Sequence, residues 1–241
     1  MAVIFPPIEN ASPEGLLAIG GDLSPETLYC AYIQGIFPWP ITQDASQLTW
    51  FSPNPRGVLY VNDFHMSKSF QKFLKKSALK VRFNSNFHEI ISSCSSTFRL
   101  KEEGTWISDQ IIDGFHQFFK MGHSYSVEVY NRENQIVGGL YGVTIGNYLS
   151  GESMFHEEAN ASKLALSALI YILSIHKIPF LDTQMVTPII ECFGGKEIDR
   201  HKFINEISIL TKQASQRQDL FPTGLEVEPN QLLDWYNGRP Y

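Results

Sequence analysis

Apolar and polar residues alternate along three consecutive segments in the middle of the chain, at residues 124–130, 136–145 and 148–155. A period of two is typical of strands that bury one face. The links between the segments, at residues 131–134 and 146–147, have the polar and glycine-containing composition of turns. The pattern therefore predicts three antiparallel strands joined as a meander.

The segment after the meander changes its pattern. Residues 161–174 are apolar almost all round and follow Asn160, a favoured N-cap residue, so they predict a buried helix. Residues 179–184 then form a short, mostly apolar run that indicates one further strand.

Two helices are predicted ahead of the meander. Residues 87–95 and 108–121 have helical periodicity, with Ser85 and Ser108 as their predicted N-caps. The first 62 residues are instead rich in glycine, proline and aromatic residues, and only residues 25–34 indicate a helix there.

The order of meander, buried helix and further strand predicts an α+β fold and is typical of GNAT-like acyltransferases. The predicted organisation is a small loop-rich N-terminal domain over residues 1–62 and a GNAT-like domain over residues 63–241. The second domain is expected to combine the antiparallel meander, the buried helix and a mixed sheet.

The composition of the 241-residue chain, with 43% hydrophobic residues, is that of a folded protein with a sizeable core. Its formal net charge of -6 argues against a general nucleic-acid binder. The three cysteines follow no disulfide or metal-ligand spacing, which fits a reducing compartment. The longest apolar run, residues 164–175, is short of the roughly 20 residues that a membrane span needs. With no signal-peptide pattern at the N-terminus, we expect a cytoplasmic protein that is not attached to a membrane.

A basic stretch departs from this acidic average, because residues 65–82 carry six basic side chains and no acid. Four of the lysines recur on one helical face, namely Lys68, Lys72, Lys75 and Lys76. Charge alone favours a solvated helix face over phosphate binding, and both interpretations stay open at this point.

The segment SGESMFH, at residues 150–156, places Glu152 between a glycine and mostly apolar residues. Burying an ionised carboxylate is costly unless the group is paired or hydrogen-bonded. Glu152 therefore needs a partner, either inside the protein or in a ligand.

Asp182 and Gln184 stand two residues apart on the last predicted strand, so we expect both side chains on one face. An acid beside an amide can orient and relay a proton, whereas a lone strand-end acid usually faces water. Since asparagine has the shape of aspartate, Asp182→Asn is expected to leave the stability of the fold nearly unchanged.

Two features bear on the kind of ligand. The start of the predicted buried helix, residues 156–161, has two acids and no glycine, so it lacks the backbone cradle that holds the pyrophosphate of coenzyme A. Trp39, Trp50 and Trp106 stand in loop-like sequences. Each alone is more often a core or interface residue, but beside a basic helix they favour stacking on unpaired RNA bases.

Several long motifs follow one another along the chain: GLLAIGGDLSPETLYCAYIQGIFPW, WFSPNPRGVL, EEGTWIS, GHSYSVEVY, VGGLYGV, GESMF, NASKLAL and LDTQ. From residue 5 to residue 203, the chain resembles the leucyl/phenylalanyl-tRNA–protein transferase family. The resemblance implies transfer of Leu, Phe or Met from aminoacyl-tRNA to proteins with N-terminal Arg or Lys, which creates an N-degron. It also implies a monomer that uses no coenzyme A, no other cofactor and no metal.

The resemblance also implies roles for individual residues. It places Trp39 and Trp106 at the terminal adenosine of the tRNA, and the basic face along the acceptor stem, with Lys68, Lys72, Lys75 and Lys76. It implies a catalytic set of Asp182, Gln184 and Glu152, with Glu152 at the aminoacyl-binding site. It also implies that the pocket for the amino-acid side chain is lined by Leu140, Gly151, Met154, Leu166, Leu169, Leu173 and Leu181.

The chain departs from the family pattern at Thr183 and Ile189, where many members have cysteine and histidine, so we expect neither residue to be essential. Leu169 and Leu173 stand where some members have aromatic rings, which leaves the width of the pocket open. Two other classes of protein remain as alternatives: a CoA-dependent GNAT-type N-acyltransferase and a non-catalytic tRNA-binding module.

Overall fold

The structure is a computed structural model in which residues 4–39, 48–96, 107–213, 217–222 and 224–239 are described. The helices are α1 (Pro25–Tyr32), α2 (Lys68–Leu74), α3 (Phe87–Ser96), α4 (Asp109–Lys120), α5 (Ala161–Ile175), α6 (Pro188–Cys192), α7 (Arg200–Leu210), α8 (Arg217–Leu220) and α9 (Pro229–Asn237). The strands are β1 (Leu16–Ile19), β2 (Phe37–Pro38), β3 (Thr49–Phe51), β4 (Arg56–Tyr60), β5 (Lys80–Phe83), β6 (Ser124–Tyr130), β7 (Ile136–Ile145), β8 (Tyr148–His156), β9 (Phe180–Gln184), β10 (Lys196–Ile198) and β11 (Glu226–Val227). Over these ranges no helix is both long enough and apolar enough to cross a membrane.

Within the described residues the strands form two sheets. The small sheet is antiparallel and has the order β1-β3-β2. The large sheet has the order β10-β4-β9-β8-β7-β6-β5-β11, and its pairs are antiparallel except for the parallel pair of β8 and β9. The predicted α+β class, the meander β6-β7-β8 and the mixed sheet are confirmed.

Strand β4 joins the N-terminal part of the chain to the large sheet. It pairs with β9 on one side and with β10 on the other, although it precedes residue 62. The strands of the small sheet all end before β4 begins. The predicted division after residue 62 stays a prediction, and the pairing adds that β4, which precedes it, belongs to the large sheet.

Helices cover both faces of the large sheet, as expected for a layered fold. On one face α5 packs against β6, β7 and β8, and on the other face α3 and α4 pack against β6. The predicted buried helix is confirmed, but its predicted side-chain cap is wrong. Asn160 makes no capping hydrogen bond and instead adopts a left-handed backbone conformation with φ 70°, which asparagine tolerates better than most residues.

Strands β8 and β9 diverge within the large sheet. In the described part of the chain they pair at one position, Ser150 with Asp182. Each strand also carries a residue that has no partner on its other neighbour, Glu152 on β8 and Thr183 on β9. An extra residue of this kind is a β-bulge, which bends a strand and redirects its side chains. The two bulges therefore lie where the sheet opens.

Candidate active site

A cavity of about 320 Å³ lies between the diverging parts of β8 and β9. Its apolar wall consists of Leu140, Met154, Leu166, Leu181, Ile189 and Ile190. The rest of the lining consists of Trp39, Gly151, Glu152, Ser153, Thr183, Gln184, Met185 and Thr187. A mainly apolar cavity with a few convergent polar groups is the usual form of a small-molecule site.

Asp182 lies behind this cavity and forms no part of its lining. Its side chain is fully buried, and Arg56 donates from Nε to Oδ1 at 2.9 Å and from Nη2 to Oδ2 at 2.7 Å. The Tyr148 hydroxyl donates to Oδ2 at 2.6 Å, and the backbone N–H of Gln184 donates to Oδ1 at 3.0 Å. Each oxygen therefore accepts two hydrogen bonds, which occupy the lone-pair sites that a substrate proton would need.

Arg56 is the buried partner of Asp182, with 1% of its surface exposed. Its guanidinium lies 4.8 Å from the ring centre of Phe37 and 4.5 Å from that of Phe203, and Nη1 donates to the Gly35 carbonyl oxygen at 2.9 Å. Burial acts to lower the pKa of Arg56, but the Asp182 carboxylate outweighs this effect and holds that pKa above its ordinary value. Arg56 therefore stays protonated inside the fold.

Gln184 reaches the cavity because the strand bends at its end. Its φ of 56° lies in the left-handed region, and it directly follows the bulge at Thr183. Its side-chain nitrogen donates to Oε1 of Glu152 at 2.9 Å. The prediction that Asp182 and Gln184 share one face is therefore wrong: the bulge breaks the alternation, so Gln184 lines the cavity while Asp182 lies behind it.

Glu152 supplies a carboxylate to the cavity wall. Ser150 Oγ donates to its Oε1 at 2.6 Å, beside the Gln184 amide. Burial raises the pKa of Glu152 to about 7; the hydrogen bond from Ser150 opposes the rise, and the charge of Asp182 adds to it. The partner that the sequence required is thus a set of hydrogen-bond donors inside the protein. A carboxyl group with this pKa changes between its acid and base forms near neutral pH.

Five of the seven residues predicted for the aminoacyl pocket line the cavity: Leu140, Gly151, Met154, Leu166 and Leu181. The other two, Leu169 and Leu173, are fully buried in the core and are not among the residues that line this cavity, so their place in the pocket stays a prediction. A helix rises about 1.5 Å per residue, so these side chains start roughly 4.5 and 10.5 Å further along α5 than Leu166.

The three loop tryptophans take different positions. Trp39 follows β2 and lines the cavity, with its ring centre 6.3 Å from that of Phe37. Trp106 lies outside the described residues. Trp50 is 1% exposed and donates from Nε1 to the Gly20 carbonyl oxygen at 2.9 Å, so it is a core residue.

Comparison with known proteins decides the family. The sequence profile described as "Leucyl/phenylalanyl-tRNA protein transferase" matches residues 58–208, and the profile of its N-terminal domain matches residues 21–54. This chain belongs to the leucyl/phenylalanyl-tRNA–protein transferase family.

Relatives named leucyl/phenylalanyl-tRNA–protein transferase match nearly the whole length. One from Flavobacterium johnsoniae is 43% identical over 203 residues, covering 84% of this chain and 94% of the relative. One from Lawsonia intracellularis is 42% identical over 220 residues, covering 90% of this chain and 95% of the relative. A solved structure of L-PGS from Bacillus licheniformis covers 66% of this chain and 65% of its own, with a TM-score of 0.42 and 10% identity.

In this member of the leucyl/phenylalanyl-tRNA–protein transferase family, residues 68–74 of the basic stretch form helix α2, and Lys75 and Lys76 lie in the turn that follows it. Ser67 begins the helix by accepting a hydrogen bond from the backbone N–H of Phe70 at 3.2 Å. Phe70 and Leu74 are buried. The predicted basic face is exposed to solvent, with Lys68, Lys72, Lys75 and Lys76. The exposed face fits both a solvated surface and a phosphate-binding surface.

Helix α9 packs against both α2 and α5, so it holds the basic helix α2 against the rest of the fold. Just beyond α9, Arg239 donates to the carbonyl oxygens of Phe64 at 2.9 Å and Asn62 at 2.8 Å, on the segment that leads into α2. Its guanidinium also lies 5.3 Å from the centre of the Trp235 ring. The end of the chain therefore fixes the position from which α2 starts.

The sequence analysis of this transferase-family member did not identify Arg56 and Tyr148. Both side chains donate hydrogen bonds to Asp182 behind the cavity. A signal for Arg56 existed, because RGVLY places a cation at the start of an otherwise apolar strand, and a buried cation needs an acidic partner. No local signal identified Asp182 as that partner, since it lies 126 residues away in the chain.

Proposed function

We propose that this protein transfers leucine or phenylalanine from aminoacyl-tRNA to the α-amino group of acceptor proteins. The observation that carries the proposal is the cavity between β8 and β9, which joins an apolar wall to the hydrogen-bonded pair of Glu152 and Gln184. The wall suits a leucine or phenylalanine side chain, and the polar pair suits the amine and ester groups of the reaction. Membership of the family supports the same activity.

The finer parts of the proposal rest on the family resemblance. Methionyl-tRNA is a further donor, and the acceptors begin with Arg or Lys, so their extension creates an N-degron. Trp39 and Trp106 hold the terminal adenosine of the tRNA. Because aminoacyl-tRNA is used in the cytoplasm, the protein acts there, as a monomer and without coenzyme A or another cofactor.

The reaction replaces an ester bond by an amide bond. The neutral α-amine of the acceptor attacks the ester carbonyl carbon of the aminoacyl-tRNA and forms the C–N bond. The bond from that carbon to the ribose oxygen breaks, the nitrogen loses one proton, and the ribose oxygen gains one. The ester is already activated, so holding the two reactants together can supply most of the acceleration.

Glu152 is the group that handles charge in this scheme. With a pKa of about 7, a large fraction of it is ionised at neutral pH. In that form it can hold an ammonium group of the substrate or accept the proton that the attacking amine loses. Gln184 fixes Oε1 of Glu152 by its hydrogen bond. Asp182 then acts by holding Gln184, in place of the proton relay that the sequence suggested.

The N-terminus of α5 argues against the CoA-dependent alternative. Glu157 and Glu158 are exposed just ahead of the helix. Their charges would repel the pyrophosphate that a helix N-terminus otherwise attracts. The alternative of a non-catalytic tRNA-binding module gives no role to the titrating Glu152 in the cavity.

The test of the proposal is a transfer reaction followed by mass spectrometry. Purified protein is mixed with leucyl-tRNA or phenylalanyl-tRNA and a peptide that begins with Arg, and a matched peptide begins with Asp. We expect the Arg peptide to gain one amino-acid residue without added coenzyme A, and the Asp peptide to stay unextended. Folded protein that leaves both the charged tRNA and the Arg peptide intact would contradict the proposal.

If the exposed lysines of α2 and of the turn after it bind tRNA phosphates, Lys72→Ala with Lys75→Ala should weaken binding of charged tRNA. The slope of log affinity against log salt should flatten by about 0.7–0.9 for each lost contact, because fewer counterions are released. Binding titrations between low and moderate salt measure this slope. The control is Lys202→Ala, which removes an exposed lysine from α7. If the salt dependence of the double variant has the same slope as that of the control, these lysines do not bind tRNA phosphates and only face solvent.

If Leu166 lines the aminoacyl pocket, Leu166→Ala should enlarge it and raise the preference for phenylalanine over leucine by about tenfold. Leu169→Ala is the matched control, because it is equally buried on the same helix but lies outside the cavity. The control should lower the free energy of unfolding by about 2–5 kcal/mol without changing the preference. Competition between leucyl-tRNA and phenylalanyl-tRNA measures the ratio. An equal change in the phenylalanine-to-leucine ratio in both variants would show that Leu166 does not line the aminoacyl pocket.

A further inference from the structure

We propose that Arg56 is a positioning residue for the transfer reaction, which acts through Asp182 on the backbone of Gln184. This inference rests on the proposed function. Arg56 forms no part of the cavity lining, and its two hydrogen bonds to Asp182 lie behind that lining. The Asp182 carboxylate accepts a hydrogen bond from the backbone N–H of Gln184 at 3.0 Å.

The backbone at Gln184 needs such support. Its φ of 56° is a conformation that residues other than glycine rarely adopt, so surrounding contacts must favour it. On the adjacent strand, a Cβ atom at Gly57 would lie 2.4 Å from the carbonyl carbon of Met185, which shows how closely the bent chain passes over β4. The hydrogen bond that the Gln184 N–H donates to Oδ1 of Asp182 fixes the direction of this N–H at the bend. It therefore fixes the direction from which the Gln184 amide reaches Glu152.

The geometry of Arg56 explains why a guanidinium is used. Its planar fork binds both oxygens of Asp182, at 2.9 and 2.7 Å, which sets the plane of the carboxylate as well as its position. The third nitrogen binds the Gly35 carbonyl oxygen, between α1 and β2 of the N-terminal part. A lysine in the same place would keep the charge but has one nitrogen, so it cannot hold the carboxylate plane and Gly35 together.

The test is the single-turnover rate of leucine transfer by Arg56→Lys, with saturating leucyl-tRNA and acceptor peptide, at a temperature where circular dichroism shows every variant folded. We expect the rate to fall by about 10–100-fold, because small misplacements of reacting groups cost that much. The affinity for leucyl-tRNA and the KM for the acceptor should stay within about twofold, since Arg56 does not line the cavity. The control is Arg200→Lys. Arg200 is also buried and donates to a carbonyl oxygen, that of Ser52, at 2.6 Å, away from Asp182.

A double-mutant cycle separates positioning from general loss of structure. If Arg56 acts through Gln184, Arg56→Lys should cost less than about twofold when Gln184→Ala is already present, because the group being positioned is gone. If Arg56 only supports the fold, the two losses should multiply, and Arg200→Lys should slow transfer as much as Arg56→Lys does.

Should Arg56→Lys fail to fold, the double variant Arg56→Met with Asp182→Leu replaces the ion pair by apolar residues, a change that folds tolerate well. It removes the acceptor of the Gln184 N–H, so it should be folded and at least tenfold slower than the wild type. A wild-type rate in Arg56→Lys or in this variant, or losses that multiply, would overturn the inference. Absence of transfer by the wild type itself would instead overturn the proposed function.

Discussion

Asp182→Asn is expected to lower the free energy of unfolding by about 3–5 kcal/mol, because removing one partner of a buried ion pair leaves the other charge uncompensated. Arg56 is 1% exposed and would face a neutral amide whose nitrogen also cannot accept its hydrogen bond. Urea denaturation followed by circular dichroism measures the change.

The matched control for Asp182→Asn is Asp63→Asn, which breaks the pair of Asp63 with Lys196. In that pair the two side chains are 45% and 52% exposed, so its loss should cost less than about 1 kcal/mol. Equal and small effects of the two substitutions would contradict the buried ion pair. The burial of this ion pair is the reason for expecting a large loss, where the sequence alone predicted that asparagine would leave stability unchanged.

Glu152→Gln is expected to slow transfer by about 10²–10⁴-fold at pH 8, the usual contribution of a positioned acid–base group. The rate is measured in a single turnover with saturating leucyl-tRNA, so that weaker binding cannot imitate slower chemistry. Glu158→Gln serves as the control, because it removes an exposed carboxylate near α5 that does not line the cavity. A rate within threefold of that control would assign Glu152 a structural role.

The stability of Glu152→Gln should move in the opposite direction to that of Asp182→Asn. Burial raises the pKa of Glu152 from 4.5 to about 7, so between these values the folded state holds a proton that the unfolded state does not. The wild type therefore loses stability as the pH rises through that window, and a neutral glutamine does not. We expect the variant to melt at least as high as the wild type at pH 8, with a smaller difference at pH 5. A lower melting temperature at pH 8 would show that the carboxylate stabilises the fold.

The sequence predicted the elements whose patterns are long. The meander and helix α5 appear with bounds within one or two residues of those predicted, because elements of seven or more residues establish a period. The small sheet was not predicted, since β1, β2 and β3 have two to four residues and establish no period. The place of β4 in the large sheet depends on pairing with β9 and β10, which lie more than 100 residues later, and no local pattern encodes such a partner.

The candidate site could be predicted in part for the same reason. The family motifs located Glu152, Gln184 and most of the apolar wall. They did not show the bulges at Glu152 and Thr183. Because of the bend at Thr183, Gln184 lines the cavity and Asp182 lies behind it. Their extension of the pocket to Leu169 and Leu173 stays a prediction, because helical spacing gives a face but does not say how far along the helix a cavity reaches.

The pH dependence of kcat/KM for leucyl-tRNA, compared between the wild type and Glu152→Gln, tests the central claim most directly: the cavity transfers aminoacyl groups through an ionised Glu152. Below pH 7 the wild type should rise about 100-fold per pH unit, because both Glu152 and the α-amine of the acceptor must lose a proton, and between pH 7 and about pH 8 it should rise about tenfold per unit. The variant should be slower and keep only the rise due to the α-amine of the acceptor, which ionises at about pH 8. Superimposable profiles for the two proteins, or no transfer by the wild type at any pH, would contradict it.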